Sequence, residues 1–449
     1  MKKTGFKITV IAILLGFLLM ITPYIRPKSL TFEQKEVIDK KLSDLEYKGE
    51  QVYLVSDPNE AFQVRLAMIQ NAKERIVLSS YIIHEGDTTT AIYSELIKAA
   101  DRGVKVTLLT DYKLGGTRNK TGKALASHPN INSYTYNPLS LFKIRSWQSV
   151  HHEKYLVVDG DYALVGGRNI GDKYFTKTKD LKTVSDLDVL VISEHGFANA
   201  LHDYANNFIG NSEIKQINTK QKRAYEKQKN IWRKQLNSSY SLDNYILKAG
   251  TADLTFLTNP MIPTETQGYI GYALTQLAAN TNDKVVVQTP YATAHKDSLR
   301  ILKDLTDQGV SVQFLTNSIA SSANYPAFSN YYKNKEKFLK TKIDIYEYQS
   351  DGGHSIHTKA YQFDDILVIG SFNLDDRSFF VNTEMVLIVR SDALNKQYND
   401  VIHEQLEQSF ALSGDKSIAG KDQEVHVSWF KRFMMTVSSV FSRIFSFLI

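Results

Sequence analysis

From Val52 onward the apolar residues come as short β-branched runs separated by stretches of helical rhythm. Val52–Val55 reads as a strand, and Asn59 caps a helix carrying Ala61, Val64, Leu66, Ala67 and Ile69. Arg75–Ile83 is a buried strand, Thr89–Asp101 a helix and Val104–Leu109 the next strand. A second series follows the same scheme. It gives strands at Leu254–Leu257, Lys284–Gln288, Val310–Leu315 and Ile343–Tyr348. Helices are predicted at Gly268–Ala279, Lys296–Asp307, Ser329–Leu339 and from Asp392 to about Leu412. Strands alternating with helices predict a mainly parallel sheet covered on both faces, with sites built in the loops that follow the strands.

The ends and the middle break this rhythm. Lys2, Lys3 and Lys7 precede an apolar run from Ile8 to Ile21, closed by Pro23, Arg26, Pro27 and Lys28. No small-x-small cleavage site follows, so residues 1–28 read as an uncleaved signal anchor in preference to a cleaved signal peptide, and either sends the rest of the chain outside the cytoplasm. Residues 29–50 look like a polar helical spacer. Residues 212–250 are dense in Lys and Arg and read as a basic helical linker with a solvated charged face. In residues 425–449, Phe430, Phe433, Met434, Val437, Val440, Phe441, Ile444, Phe445 and Leu448 recur at helical spacing behind Trp429. Lys431, Arg432, Arg443 and four serines fill the other face, the pattern of a membrane-surface helix. A helix docked on the protein core would show the same stripe.

The two series are copies. Arg102–Asp111 matches Gln308–Asn317, and the next landmark, a histidine, lies 49 positions beyond Gly103 and 48 beyond Gly309. A duplication of this size means two fused domains, 50–211 and 251–412. The balance of 54 Lys and Arg against 48 Asp and Glu, net +6, suits an anionic partner without choosing one. There is no cysteine, which excludes a disulfide, a thiolate metal site or a cysteine nucleophile.

Each copy carries H-x-K-x4-D followed by G-[GS]-x-N: His152, Lys154, Asp159 and Gly166-Gly167-Arg168-Asn169 in the first, His357, Lys359, Asp364 and Gly370-Ser371-Phe372-Asn373 in the second. A lone His in an apolar strand is usually structural, but two matched H-x-K pairs point to chemistry. Exchange at a phosphodiester needs a nucleophile, an acid for the leaving alcohol, and positive charge around phosphorus. Two imidazoles supply the first two, and two lysines with Asn169, Asn373 and Ser371 supply donors for the phosphate oxygens. On a strand, the period of two puts His and Lys on one face. Asp159 and Asp364 read as turn residues. His151 and His354 are out of register, and His84, Glu85, Tyr81, Tyr291 and His295 either line the pocket or merely occupy loops. The histidines lack the close spacing of a metal site.

These strings resemble the phospholipase D superfamily and its paired HKD motif, over roughly residues 50–412. The runs Leu164–Phe175, Leu315–Ser318 and Ile369–Ser378 look like its cardiolipin synthase branch. The resemblance implies two pseudo-symmetric α-β-α sandwich domains sharing one active site, a phosphohistidine intermediate, and neither metal nor cofactor. By that analogy His152 attacks phosphorus and His357 serves the alcohols, though pseudo-symmetry allows the reverse. An acid after each motif is expected to orient its histidine: Glu384 in the second half, and in the first Asp188, with Asp186 as competitor. Gly167 departs from the family in lacking the serine hydroxyl.

The expected function is therefore a phosphatidyltransferase of the bacterial cell membrane, with phosphatidylglycerol as substrate and no need of an oligomer. The rivals are a hydrolase using the same site, whether phospholipase or secreted nuclease (the one case that brings in nucleic acid), and a tethered binding protein with a vestigial site.

Overall fold

The computed structural model describes residues 2–25, 28–176, 183–217, 222–234, 238–261, 268–322, 324–349, 354–414, 417, 420 and 426–445. Its frame is one sheet of sixteen strands running through both halves. At the centre Tyr47–Val55 pairs antiparallel with Gly250–Thr258. Outward from this seam each half repeats one order. The first half runs Asp188–Ile192, Tyr162–Gly166, Tyr155–Val158, Arg75–Ser80, Lys105–Asp111, Ile131–Tyr136, Ile214–Gln216. The second runs Met385–Arg390, Ile366–Gly370, Ala360–Phe363, Lys284–Gln288, Ser311–Asn317, Asp344–Tyr348, Ser409–Ala411.

The expectation of a mainly parallel sheet is corrected. Only the βαβ parts are parallel, Arg75–Ser80 with Lys105–Asp111 and Ile131–Tyr136, and their counterparts in the second half. The motif hairpins are antiparallel because short turns join them, and the strands at and beside the seam, distant in sequence, pair antiparallel as well. Other boundaries shift for local reasons. Asp57, not Asn59, caps the helix Pro58–Asn71, accepting from the N–H groups of Asn59 and Glu60. The last long helix stops at Glu407, and Ser409–Ala411 then adds an edge strand.

One face of the sheet packs Val52, Val157, Val165 and Val189 of the first half against Leu367, Leu387, Val389 and Leu394 of the second. The halves therefore share a core. Burying one such side chain contributes roughly 1.5–3 kcal/mol, so the seam is held by far more than its backbone hydrogen bonds.

The flanking segments dock more than their composition suggested. The polar spacer forms the helix Phe32–Asp44, with a capping box at Thr31 and Gln34, and it leans on the second half through Gln34 and Tyr269 and through Asp39 and Tyr272. In the basic linker the helix Lys222–Lys234 buries Trp232 against Tyr93 and pairs Arg233 with Asp101. It is a clamp on the first half rather than a free solvated helix; Lys220 of that run lies outside the described residues.

The apolar N-terminal run lies in a helix, Lys2–Ile25, many of whose side chains are outside the described residues. Among the described residues no helix is long and apolar enough to cross a membrane. The tail forms the helix Trp429–Phe445. It buries Met435 and Ser439, while Trp429, Phe430, Phe433, Val437 and Val440 stay exposed. The side chains of Phe441, Ile444 and Phe445, and Leu448 altogether, lie outside the described residues.

Candidate active site

The motif residues meet at the seam because each half reaches across to the other. The parallel pair Val184–Ser185 with Ser355–Ile356 is one such crossing, and His357 N donates to Ser185 O at 2.7 Å. The other pairs His151 with Thr383, and His152 N donates to Thr383 O at 3.1 Å. Each histidine is thus laid by its backbone beside an acid of the opposite half. His152 Nδ1 meets Glu384 Oε2 at 2.8 Å, and His357 Nδ1 meets Asp186 Oδ2 at 2.6 Å.

Two expectations are corrected here. Glu384 serves the first motif's histidine rather than that of its own half. Asp186, not Asp188, serves the second. Asp188 is committed elsewhere: its Oδ2 accepts from Arg65 at 3.0 Å and from Arg168 at 2.9 Å. Two buried guanidinium groups need that carboxylate, since a buried unpaired charge is far costlier than a paired one. Arg168 also donates to the carbonyls of Ser56, Tyr174 and Asp186, which fixes the loop that carries Asp186.

The H-x-K segments lie just before the strands Tyr155–Val158 and Ala360–Phe363, not within them. Each lysine folds back so that Nζ donates to the carbonyl of its own histidine, Lys154 to His152 and Lys359 to His357. Lys359 Nζ also lies 2.9 Å from His357 Nδ1. Asp159 and Asp364 adopt φ of 50° and 49° at the hairpin turns. Their carboxylates accept from the N–H groups of residues 73–75 and 282–284 respectively. They sit at the far end of the hairpins from the histidines.

Of the expected phosphate ligands, Asn373 presents a buried Oδ1 without a hydrogen-bond partner among the described residues. Asn169 is engaged: Oδ1 accepts from Ile82 N and Nδ2 donates to the Tyr174 hydroxyl. Ser371 is likewise spent, a correction to its expected role, because its hydroxyl donates to Glu384 and accepts from Met385 N. Glu384 further accepts from Ser378 at 2.7 Å and from Asn382 at 3.3 Å. Ser378 and Asn382 were not singled out in the sequence. Their proximity to Glu384 in the chain was the available signal.

A groove of about 210 Å³ reaches His152 between Tyr81, Tyr291, Asn324, Asn373, Asp375, Arg377 and Asn382. The Tyr81 and His152 rings pack edge-on, 4.9 Å apart, and Tyr174 stands in the same relation to His357 at 5.7 Å. His84, Glu85 and His295 are not part of this lining. Their bonds run to Ile170 O, to Asn119 and Thr121, and to Asp297 N. His151 lies beneath the site between Ser79 and Thr383, and His354 accepts from Thr183 N.

Burial sets the electrostatics. It lowers both histidines, His357 to about 3 with Lys359 adding to the effect, so both rings are neutral at neutral pH. Burial also lowers Lys359 to about 8 and Lys154 well below the usual lysine range, and it raises Glu384. Burial alone would raise Asp186 too, but His357, Lys359 and Arg168 outweigh it and hold it at about 2. A neutral imidazole whose Nδ1–H is held by a carboxylate turns Nε2 outward as a lone pair, which suits attack or proton transfer. Two such rings with two lysines can carry a phosphoryl centre through a two-step exchange.

Comparison with known proteins gives the family and the fold. A family model described as "Cardiolipin synthase, PLD-like domain" matches residues 65–208 and 274–406, more than half of the chain. Cardiolipin synthase C of Escherichia coli K12 is 26% identical over 385 residues, covering 75% of this chain and 80% of the relative. A cardiolipin synthase of Staphylococcus aureus Mu50 is 26% identical over 371 residues, covering 80% and 68%. The crystal structure of a phosphatidylserine synthase from Haemophilus influenzae superposes with a TM-score of 0.65 at 16% identity, covering 92% of this chain and 98% of that one. It shares the fold.

Proposed function

The chain belongs to the cardiolipin synthase PLD-like domain family, and from that premise we propose that it is a membrane-bound phosphatidyltransferase that exchanges one phosphodiester for another through a phosphohistidine, with phosphatidylglycerol as donor and acceptor. One imidazole attacks phosphorus, and the bond from phosphorus to the headgroup alcohol breaks. The second imidazole, which must enter the step protonated on Nε2 and so charged beside its carboxylate, gives that proton to the departing oxygen. It then takes the proton of an incoming hydroxyl, which attacks phosphorus and frees the first ring. With phosphatidylglycerol in both roles the products are cardiolipin and glycerol. One phosphodiester replaces another, so the exchange needs no external energy source.

The observation that carries this reading is the pairing of His152 with Glu384 and of His357 with Asp186, each across the seam. Lys154 and Lys359 supply charge for the non-bridging oxygens. The surface supports a lipid substrate. Val10, Ile11, Leu14, Leu15 and Leu18 of the first helix are exposed, and so are Leu139, Leu141 and Phe142, with Phe142 100% exposed. That helix is tied to the same loop through Arg145–Thr22 and to its neighbour through Tyr24–Gln148. Lys143, paired with Glu213, and Arg145 follow Phe142 in the same loop, and Lys431 and Arg432 lie beside the exposed Phe430 and Phe433 of the last helix, combinations suited to an anionic bilayer. The first helix as signal anchor would hold the catalytic halves outside the cytoplasm of a bacterial cell.

The test uses purified full-length protein in phosphatidylglycerol vesicles beside His152→Ala. Cardiolipin made only by the unmutated protein supports the reading. Phosphatidic acid as sole product would make the protein a hydrolase, and neither product would remove lipid from consideration.

A further inference from the structure

Beside the donors Arg377 and Asn324, the groove at His152 is lined by acceptors for which a phosphate has no use. Asn382 Nδ2 donates to Glu384 Oε1, which fixes how the amide is turned. Its oxygen, Oδ1, is buried with no hydrogen-bond partner among the described residues, on a residue only 4% exposed that lines the groove. The same lining holds Asp375, 6% exposed, whose Oδ1 accepts from Ser378 N at 2.9 Å. Burial pushes the Asp375 carboxyl up to about 7. Leaving a buried acceptor unpaired costs roughly 1–3 kcal/mol, so a ligand that pairs it gains accordingly. A non-bridging phosphate oxygen carries no proton to give. A hydroxyl does.

We propose that Asn382 and Asp375 form a subsite for the hydroxyl groups of a polyol, the alcohol that leaves or enters at phosphorus. This rests on the phosphatidyltransferase reading, which already takes glycerol as the exchanged alcohol, and adds the two residues that hold its hydroxyls and select a polyol over a simple alkanol. Asn382 and His152 are both hydrogen-bonded to Glu384, so a hydroxyl held at Asn382 is beside the His152 ring. In an in-line exchange the nucleophile and the alcohol lie on opposite sides of phosphorus. The subsite therefore gives the alcohol's proton to His152 and the attack to His357, the reverse of the family analogy.

The experiment is a competition between acceptors. Full-length enzyme in phosphatidylglycerol vesicles receives equal concentrations of isotopically labelled glycerol and 1-propanol. Labelled phosphatidylglycerol and phosphatidylpropanol are then counted by mass spectrometry. The unmutated enzyme should favour glycerol by about tenfold or more, the worth of one or two hydrogen bonds. Asn382→Leu should bring the ratio near one, and Asn382→Asp, which keeps an acceptor, should retain the preference. Asp375→Asn, which keeps the helix-capping oxygen, should reduce it. Damage to folding or to Glu384 lowers both products together and leaves the ratio where it was. Both products in an unchanged ratio in Asn382→Leu and Asp375→Asn, or no preference in the unmutated enzyme, overturn the subsite alone. Phosphatidic acid with neither alcohol product overturns the transferase reading and the subsite with it.

Discussion

The two half-sites have the same backbone and different chemistry. Around Glu384 the second half supplies hydrogen bonds from three neutral groups, Ser371, Ser378 and Asn382, and the first half supplies the charge of Lys154. Around Asp186, among the described residues, the first half supplies Leu187 N at 2.9 Å and the charge of Arg168, and the second half supplies His357 and the charge of Lys359. The position equivalent to Ser371 is Gly167. A Cβ there would sit 2.3 Å from Asp186 Oδ1, so the missing hydroxyl is excluded by the carboxylate rather than merely lost. Pseudo-symmetry places two identical rings. The surroundings then divide their labour. An ionised Asp186 suits a ring that becomes positive on phosphorylation, and a carboxylate raised by burial suits a ring that passes a proton back and forth.

The largest expected effect tests the pairs. Either His152→Ala or His357→Ala should abolish transfer, and Asp186→Asn should lower kcat by about 10²–10⁴-fold, the usual worth of a positioned acid–base group. Glu384→Gln should cost less. Equal losses in single-turnover rates for the two acid variants would erase the comparison. Next comes Gly167→Ser, which should disable the enzyme by displacing Asp186. Its mirror Ser371→Ala should cost only about 1 kcal/mol of stability, read as a small fall in Tm, with most activity kept. A harmless Gly167→Ser would show that the first half has room its geometry denies.

The pH dependence is smaller in effect. Lys359 is charged below about 8 and neutral above it, since burial lowers it. Positive charge on the phosphate is therefore lost as pH rises through about 8, and log kcat/KM should fall there rather than near the ordinary lysine value. Lys359→Arg, if active, should move that limb to higher pH. A limb that stays put would assign it to another group. The smallest effect is at the surface. Phe142→Asp should weaken flotation with anionic vesicles a few-fold, about 1 kcal/mol, and leave hydrolysis of a soluble phosphodiester unchanged. A loss in both assays would make Phe142 structural.

Much of this was legible in the chain. The motif strings named both histidines and both lysines, and the repeated Gly-Val strand gave the duplication. The crossing was not legible. Glu384 and Asp186 reach their rings through backbone pairing between distant segments, which no local pattern records. Asp188 looked right because a clean strand follows it, yet Arg65 and Arg168 had already taken it. Ser371 looked like a phosphate ligand by position, and only the side chain beside it shows that its proton goes to Glu384. The mixed sheet escaped prediction because short apolar runs do not declare their direction.

The most direct test is to trap the covalent intermediate. Full-length enzyme is mixed with a phosphodiester bearing a good leaving group, quenched in alkali, digested, and the phosphorylated histidine located by mass spectrometry. The unequal half-sites predict the phosphoramidate on the fragment carrying His357, its absence in His357→Ala, and its formation in His152→Ala, where the good leaving group needs no proton. Label on His152, or none on either ring, would contradict the account.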